Sequence, residues 1–514
     1  MTMVIRIDRR GTLDLLRFGN QTAIALLAGV SVALLLAYAV ASQGKTMAVM
    51  VGGLFALGCW PILAAFPGYL EKSLLAALAA TLSVSLKFHL AYKSDHFGGA
   101  IGYRVSITEL LVGVILLCAV WGMSRAHRVE IRIDKAVFRA FGAYLLLAAF
   151  SAFTSDGLQV GLYQLSALLT SFLLFVFLCN YLDSRVRIRI FVTGLLLGIV
   201  LQSAAAMVQV KSPGTLSLNF LGAAEEAEAE QADGNIDLPD VDLGTTTVGG
   251  EITHRPTGLL IHPNLLALYL VLMIPVSLAV WLAGGHKWME WLGFGALCLG
   301  SATLYLTLSR SGWAGLLCAL ALAAVYGIKG RLPRFARAKK TMLILICAVA
   351  LAGLAAKANK IYLRLTETSS EAVEFRVNLA KAALAMLADH PALGVGLNNF
   401  INHVEEYDAS GMSRIKKYPV HNIVLMEFSE TGFLGGIAFL VLVVTLTLQT
   451  FRWSLSCNDP YYRMLGLLAA CGLVGFWFAE MSEFVSRIPI MTSLFWCCIA
   501  LIYAIRRVDR EAAG

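Results

Sequence analysis

The chain has 514 residues, 58 % of them hydrophobic and 14 % charged, with a mean hydropathy of +0.73. A soluble domain carries about 25 % charged residues, so this composition excludes a single water-soluble core and reads as an integral membrane protein. The net charge of +8 would suggest nucleic acid only if it formed one basic surface, and its distribution argues against that.

The N-terminal stretch "MTMVIRIDRRGTLDLLR" is basic, but the apolar run after it is long enough to span and has no convincing small-residue cleavage site. It therefore reads as carrying no cleavable signal peptide. A helix needs roughly 20 apolar residues to cross a bilayer. Runs of that kind lie near 21–42, 46–66, 72–90, 105–124, 137–153, 158–181, 188–210, 259–283, 288–308, 311–328, 341–358, 422–449, 464–483 and 488–505, about fourteen spans. Pro61 predicts a kink in the second.

The basic residues cluster in alternate connections. Arg6, Arg9, Arg10 and Arg17 precede the first span. Arg125, Arg128, Arg132 and Lys135 follow the fourth, and Arg185, Arg187 and Arg189 the sixth. "KGRLPRFARAKK" follows the tenth, and Arg506, Arg507 and Arg510 end the chain. Threading fourteen spans puts all of these on one side, which the positive-inside rule assigns to the cytoplasm, with both termini. The clusters are topology and headgroup signals rather than a nucleic-acid site.

Two long loops fall on the other side. The first, 211–258, contains "AAEEAEAEQADGNIDLPDVDLG", an acidic, small-residue insertion at 221–242. The second, 359–421, carries a helix-start signal, Thr368 with Glu371 three residues on. Val377, Ala380, Leu384 and Leu387 then recur at helical spacing until Pro391. Gly394 and Gly396 follow in "ALGVGLNNF", permitting tight turns. Neither loop contains a cysteine, so a disulfide framework is not expected there.

Outer loops should be poor in arginine, and three positions break that rule. Arg255 lies in "HRPTGLLIHPN", Arg310 in "TLSRSGW" and Arg376 on the outer-loop helix. His421 joins them at the mouth of the twelfth span. The guanidinium fork suits phosphate, and an imidazole can accept a proton near neutral pH. Together they describe glycosyl transfer from a polyprenyl diphosphate sugar, with arginines stabilising the leaving diphosphate and the histidine as base. No metal or cofactor is needed, because the protein supplies the cations. Each residue also has a plainer role: interfacial anchor for Arg310, partner of Glu371 for Arg376, counterweight to the acidic insertion for Arg255, and structural hydrogen-bonder for His421. "HPN" at His262–Asn264 lacks metal partners and reads as polar packing at a helix start. Glu427, Glu430, Glu480 and Glu483 lie near the same side. Ionisable groups in spans are costly and usually partnered, so these acids are candidates to pair with the arginines or orient His421.

At these residues the chain resembles the O-antigen ligase and polymerase family of bacterial inner-membrane proteins. The ligase pattern is matched by His421, Asn422, nine residues through Thr431, Gly432, two residues, and Gly435. "TLSRSGWAG" is similar to the family's Ser-Arg turn, and "FRVNLAKAALAMLADHPALGVGLNNF" to its outer-loop helix. The resemblance runs from about Arg255 to about Gly436.

It implies an all-α polytopic, GT-C-like membrane protein with a helical periplasmic loop domain, acting as a metal-independent, inverting transferase. The implied donor is a glycan on undecaprenyl diphosphate, and the acceptor is lipid A–core or a growing polysaccharide. The family's two arginines and histidine map onto Arg310, Arg376 and His421, with Asn422, Gly432, Gly435, Glu427 and Glu430 in support. The span count itself organises the chain as a seven-span region over 1–210, a periplasmic acidic loop over 211–258, and four spans over 259–358. A periplasmic helical loop over 359–421 and three spans over 422–514 complete it. The chain departs from the family in its fourteen spans, where about twelve are usual, and in the acidic insertion. A polymerase of the same family shares these motifs. A lipid-linked oligosaccharide flippase has a similar span count but should place its charges in a midplane cavity.

Overall fold

The computed structural model describes residues 2–8, 67–84, 87–93, 96, 98–106, 108–113, 115, 128–211, 245–248, 251–356, 358–366, 370–414 and 417–513. Strand β1 (Thr2–Asp8) is followed by helix α1 (Pro67–Thr81), strands β2 (Lys87–Tyr92) and β3 (Gly102–Ser106), and β4 (Arg128–Asp134). Three long helices come next: α2 (Lys135–Phe153), α3 (Leu158–Tyr181) and α4 (Arg185–Lys211). Beyond the hairpin β5 (Thr245–Val248) and β6 (Glu251–His254) lie α5 (Pro263–Ala283), α6 (Lys287–Leu306), α7 (Arg310–Ile328) and α8 (Arg337–Ala356). The large loop contains α9 (Ala358–Thr366), α10 (Ser370–Asp389) and α11 (Phe400–Tyr407). Helices α12 (Ile423–Leu455), α13 (Pro460–Glu480) and α14 (Pro489–Ala513) end the chain.

The protein is a polytopic helical membrane protein: among the described residues, eight helices are long and apolar enough to cross a bilayer. They are α2, α3, α4, α5, α7, α12, α13 and α14. Helix α5 is buried along its whole apolar window, which makes it the central post, packed against α6, α7 and α13. Its sequence is apolar on every side, as a helix without a lipid face requires.

The expected spans at 21–42 and 46–66 lie outside the described residues. One other needs correction. The run 72–90 does not form one helix: α1 stops at Thr81, and 87–92 pairs antiparallel with 102–106. At 15 residues α1 reaches about 22 Å, short of the roughly 30 Å core. The polar, β-branched run "TLSVS" ends it, and the main chain crosses into a hairpin whose turn contains Gly98. In the expected span 105–124, β3 runs through Ser106, residues 108–113 and 115 are helical, and 107, 114 and 116–124 lie outside the described residues.

All connections sort into two ends. Strand β1 pairs antiparallel with β4, Arg132 Nη1 donates to Glu511 at 2.5 Å, and Arg507 Nη2 donates to the Asn180 carbonyl. The first strand, the α3–α4 turn and the end of α14 therefore share one end, here the termini end. The turns α2–α3, α6–α7 and α13–α14 and the large loop share the opposite loop end.

Helix α10 buries a different stripe from the one expected. Val377 and Leu384 are about half exposed, whereas Leu379, Ala382, Ala383 and Met386 are buried against Val395, Phe400, Val420 and Met426. Both stripes have helical spacing, and which one faces inward is decided by the loop that folds under the helix.

Candidate active site

The site is built where α5, α7 and α12 begin and α13 ends. His262 caps α5, its Nδ1 accepting the Asn264 N–H at 3.1 Å, with Pro263 in the first turn. The Asn264 side chain is thereby held at the helix mouth. Its Oδ1 accepts from Arg255 Nη2 at 2.6 Å, and its Nδ2 donates to Glu483 Oε1 at 2.8 Å. Arg255 Nε donates to the Thr307 carbonyl at 2.7 Å, tying the segment before α5 to the α6–α7 turn.

That turn is strained. Leu308 is buried with φ 51°, a left-handed conformation that a bulky residue rarely adopts. It aims Ser309 as the cap of α7, Oγ accepting from the Gly312 N–H, and leaves Arg310 as the first helical residue. A cation at a helix N-terminus opposes the macrodipole. Arg310 is therefore poorly explained by helix stability, while dipole and guanidinium together favour an anion. One residue on, Ser311 Oγ donates to Glu483 Oε1 at 3.0 Å.

Helix α12 supplies the imidazole. Asn422 caps it, accepting from the Leu425 N–H at 2.9 Å, and its Nδ2 donates to the Met481 carbonyl at 2.9 Å. This cross-tie seats His421 against the α13–α14 turn, where its ring meets Phe484 edge to face, centroids 5.5 Å apart. Burial first, then the charge of Arg376, pushes the His421 imidazole down to about 4. His262 is pushed to about 3 by burial, then by Arg255 and His421. Both rings are neutral near pH 7. Burial pushes the Glu483 carboxyl up, opposed most strongly by Arg376 and then by Ser311, Asn264 and Arg255. Arg376, exposed on α10, also acts on Arg310. Arg255, Arg310, Arg376, His262, His421 and Glu483 are thus linked electrostatically. Among the described residues no group of three or more His, Cys, Asp or Glu is arranged to hold a metal ion.

The other expected support residues lie in a second cluster. Arg487 Nη1 donates to Glu427 Oε1 at 2.8 Å, and its Nη2 pairs with Glu430 Oε2. The three side chains are at most 3 % exposed. Tyr144 OH donates to Glu427 Oε2 at 2.9 Å. Glu430 also accepts from the backbone N–H groups of Asn398 (2.7 Å) and Phe400 (3.1 Å). Gly432 does not lie in a regular helical stretch. At φ 65° and ψ −170° it breaks α12, and a Cβ there would meet the Ala392 backbone. The break leaves the carbonyls of Ser429 and Glu430 open to the Val395 and Gly396 N–H groups, at 3.0 and 2.9 Å.

The sequence reading thus named the residues that the fold gathers at the first cluster, Arg255, Arg310, Arg376 and His421. It left Glu483 without a partner and treated Asn264 and Ser311 only as parts of motifs. It missed Arg487, although "EFVSRIP" in a loop-end turn breaks the same charge rule that flagged the other arginines.

The family model described as O-Antigen ligase matches residues 294–440, a stretch containing Arg310, Arg376 and His421. The resemblance to that family therefore holds over this part of the chain. No curated protein matches the chain. A solved structure described as "Structural coordination of polymerization and crosslinking by a peptidoglycan synthase complex" aligns at 16 % identity, covering 74 % of this chain and 98 % of that one. Its TM-score is 0.36, and a likeness of that size carries no argument about this protein.

Proposed function

We propose that the protein is an O-antigen ligase-like glycosyltransferase of the bacterial inner membrane. In this reading it moves a glycan from undecaprenyl diphosphate to a hydroxyl of lipid A–core or of a growing polysaccharide. The observation that carries the reading is the linkage of Arg310, His421 and Glu483 through Arg376, with Arg255 also acting on Glu483, at one end of the bundle and inside or beside a segment matching the ligase family. The loop end then faces the periplasm and the termini end the cytoplasm, in keeping with the basic residues at the latter. A fourteen-span, GT-C-like architecture belongs to the same proposal.

The chemistry follows from the charges. The diphosphate lies at the mouth of α7, against Arg310 and Arg376, while its lipid tail stays in the bilayer. The acceptor oxygen attacks the anomeric carbon as the carbon–oxygen bond to phosphate breaks, so the configuration inverts. The electron pair leaves with the diphosphate, whose growing charge the arginines stabilise without a metal. His421, kept neutral by burial, takes the hydroxyl proton. Glu483 holds Asn264 and Ser311 in place and keeps the guanidiniums from dispersing one another.

The test is reconstitution with an undecaprenyl-diphosphate oligosaccharide. Product on lipid A–core identifies a ligase, and a longer lipid-linked chain identifies a polymerase. Retention of the donor glycan with both acceptors present rejects the transferase reading.

A further inference from the structure

The second cluster has more connections than a buried ion pair needs for its own stability. Arg487 sits in the short turn Val485–Arg487 between α13 and α14. It grips Glu427 and Glu430, three residues apart on α12, so both land on one side of the first turns of that helix. The two carboxylates are used differently. Glu427 faces Tyr144 of α2 and stays within the bundle. Glu430 faces the large loop and accepts the N–H groups of Asn398 and Phe400.

The loop is fixed there by a run of contacts. Val395 and Gly396 donate to the carbonyls of Ser429 and Glu430, and Phe433 N–H donates to the Pro391 carbonyl at 2.8 Å. Asn398, with φ 63°, donates its side chain to the carbonyls of Ala100 and Val160 at 2.9 and 3.0 Å. Gly394, at φ +68°, lies so close that a Cβ would meet the Glu430 backbone. A non-glycine residue in a left-handed conformation persists only where its surroundings over-determine it. Here those surroundings include the charge that Arg487 holds in place.

This loop is the continuation of α10. Five residues after Asp389 the chain reaches Gly394, and the buried stripe of α10 packs on Val395 and Phe400, which the loop presents, and on Val420, next to His421. Where the loop sits on α12 therefore decides where α10 sits, and α10 carries Arg376.

We propose that Arg487 is a positioning residue: by holding Glu430 it seats the 391–400 loop on the break at Gly432 and so sets Arg376 against His421 and Arg310. It touches neither donor nor acceptor. Its kinetic consequence rests on the transferase reading above, whereas its structural consequence does not, and the two are measured separately.

The experiment compares Arg487→Met, Arg487→Lys and Glu430→Gln with Glu427→Gln in the full-length protein in detergent or nanodiscs. Hydrogen–deuterium exchange of the 391–400 peptide reads the seat directly. Arg487→Met and Glu430→Gln are expected to expose the amides of Val395, Gly396, Asn398 and Phe400, and Glu427→Gln to leave them protected. Unchanged protection in Arg487→Met and Glu430→Gln overturns the proposal whatever the protein's activity.

The kinetic arm uses transfer from undecaprenyl-diphosphate oligosaccharide. A misplacement of about 1 Å costs about 100-fold, so Arg487→Met is expected to lower kcat by about that factor. Arg487→Lys, which reaches only one carboxylate well, is expected to recover part of it. Because Arg487 acts through Arg376, the double variant Arg376→Ala/Arg487→Met is expected to be no slower than Arg376→Ala alone. Multiplying losses, or an exposed loop with unaltered transfer, would refute the positioning role. If Arg487→Met does not fold, Glu430→Gln, similar in size, carries both arms. Absence of transfer by the wild type, with loop exposure as expected, rejects the transferase reading and leaves the seat intact.

Discussion

Two arginine clusters lie at the same end of this bundle, and they differ in how their charge is answered. At the second cluster Arg487 meets two carboxylates, Tyr144 completes one of them, and backbone N–H groups complete the other. The charge of that cluster is answered within the protein, and of the Arg487 guanidinium only the buried Nε lacks a hydrogen-bond partner. At the first cluster Arg376 and Arg255 act on Glu483 and Arg376 on Arg310, Arg255 is tied to the neutral oxygens of Thr307 and Asn264, and Arg376 is exposed. Arg310 stands at the positive end of a helix. Burying a charge requires a partner, so the closed cluster is read as framework. Guanidiniums gathered at a helix N-terminus, one of them exposed, are read as a site for a multiply charged anion.

Substitutions break this comparison most sharply in their effect on rate. Arg310→Ala and Arg376→Ala each remove a donor from the developing diphosphate charge, with an expected loss of about 10²–10³-fold in kcat. His421→Ala is expected to fall as far, with expression and membrane insertion kept. Near-wild-type transfer in these variants would move the site elsewhere. Stability should divide the clusters in the opposite sense. Arg487→Met leaves two buried carboxylates unanswered and is expected to cost about 3–5 kcal/mol. Arg376→Ala, at an exposed position, should cost less than about 0.5 kcal/mol. Thermal unfolding in detergent compares them, and equal shifts would erase the distinction drawn here.

A smaller effect is expected for Glu483→Gln. It keeps the shape but weakens the bonds from Asn264 and Ser311 and removes the charge between the arginines. Transfer should fall about ten-fold, the low end for a hydrogen bond to a charged group. The smallest effect is a titration. His421 and His262, pushed down to about 4 and about 3, should both stay neutral at pH 6, where an ordinary imidazole is largely charged. Nitrogen chemical shifts of labelled histidine report this directly. Because unfolding would let both rings take up protons, they favour unfolding as pH falls from about 6.5 toward 4.

How much of this was legible in the sequence depends on the range of the interaction. Membrane class, the alternation of basic connections and most helices beyond residue 134 follow from composition and local hydrophobic runs, because a bilayer imposes length and apolarity on each helix separately. Arg255, Arg310 and Arg376 were also singled out in the sequence, since each breaks a topological rule at a position that counting spans can find, and His421 was placed beside them by the same count. The hairpin at 87–106 was not: the apolar run of α1 continues into KFHLAY and hides its start, and the Lys87, His89 and Arg104 that mark the two strands gain their meaning only from the pairing. Nor was the buried face of α10, where two stripes have the same period and the underlying loop chooses between them.

The glutamates mark the boundary. The sequence determined that Glu427, Glu430 and Glu483 need partners, because unpaired carboxylates at membrane depth are too costly. Tertiary structure alone decided which partners: Arg487 and the loop amides for Glu427 and Glu430, and Asn264, Ser311 and the arginine field for Glu483. The physical reason is that the need for a countercharge is a property of one residue, whereas its supply comes from segments far away in sequence, as Arg255 is from Glu483, brought together only by the packing of the bundle.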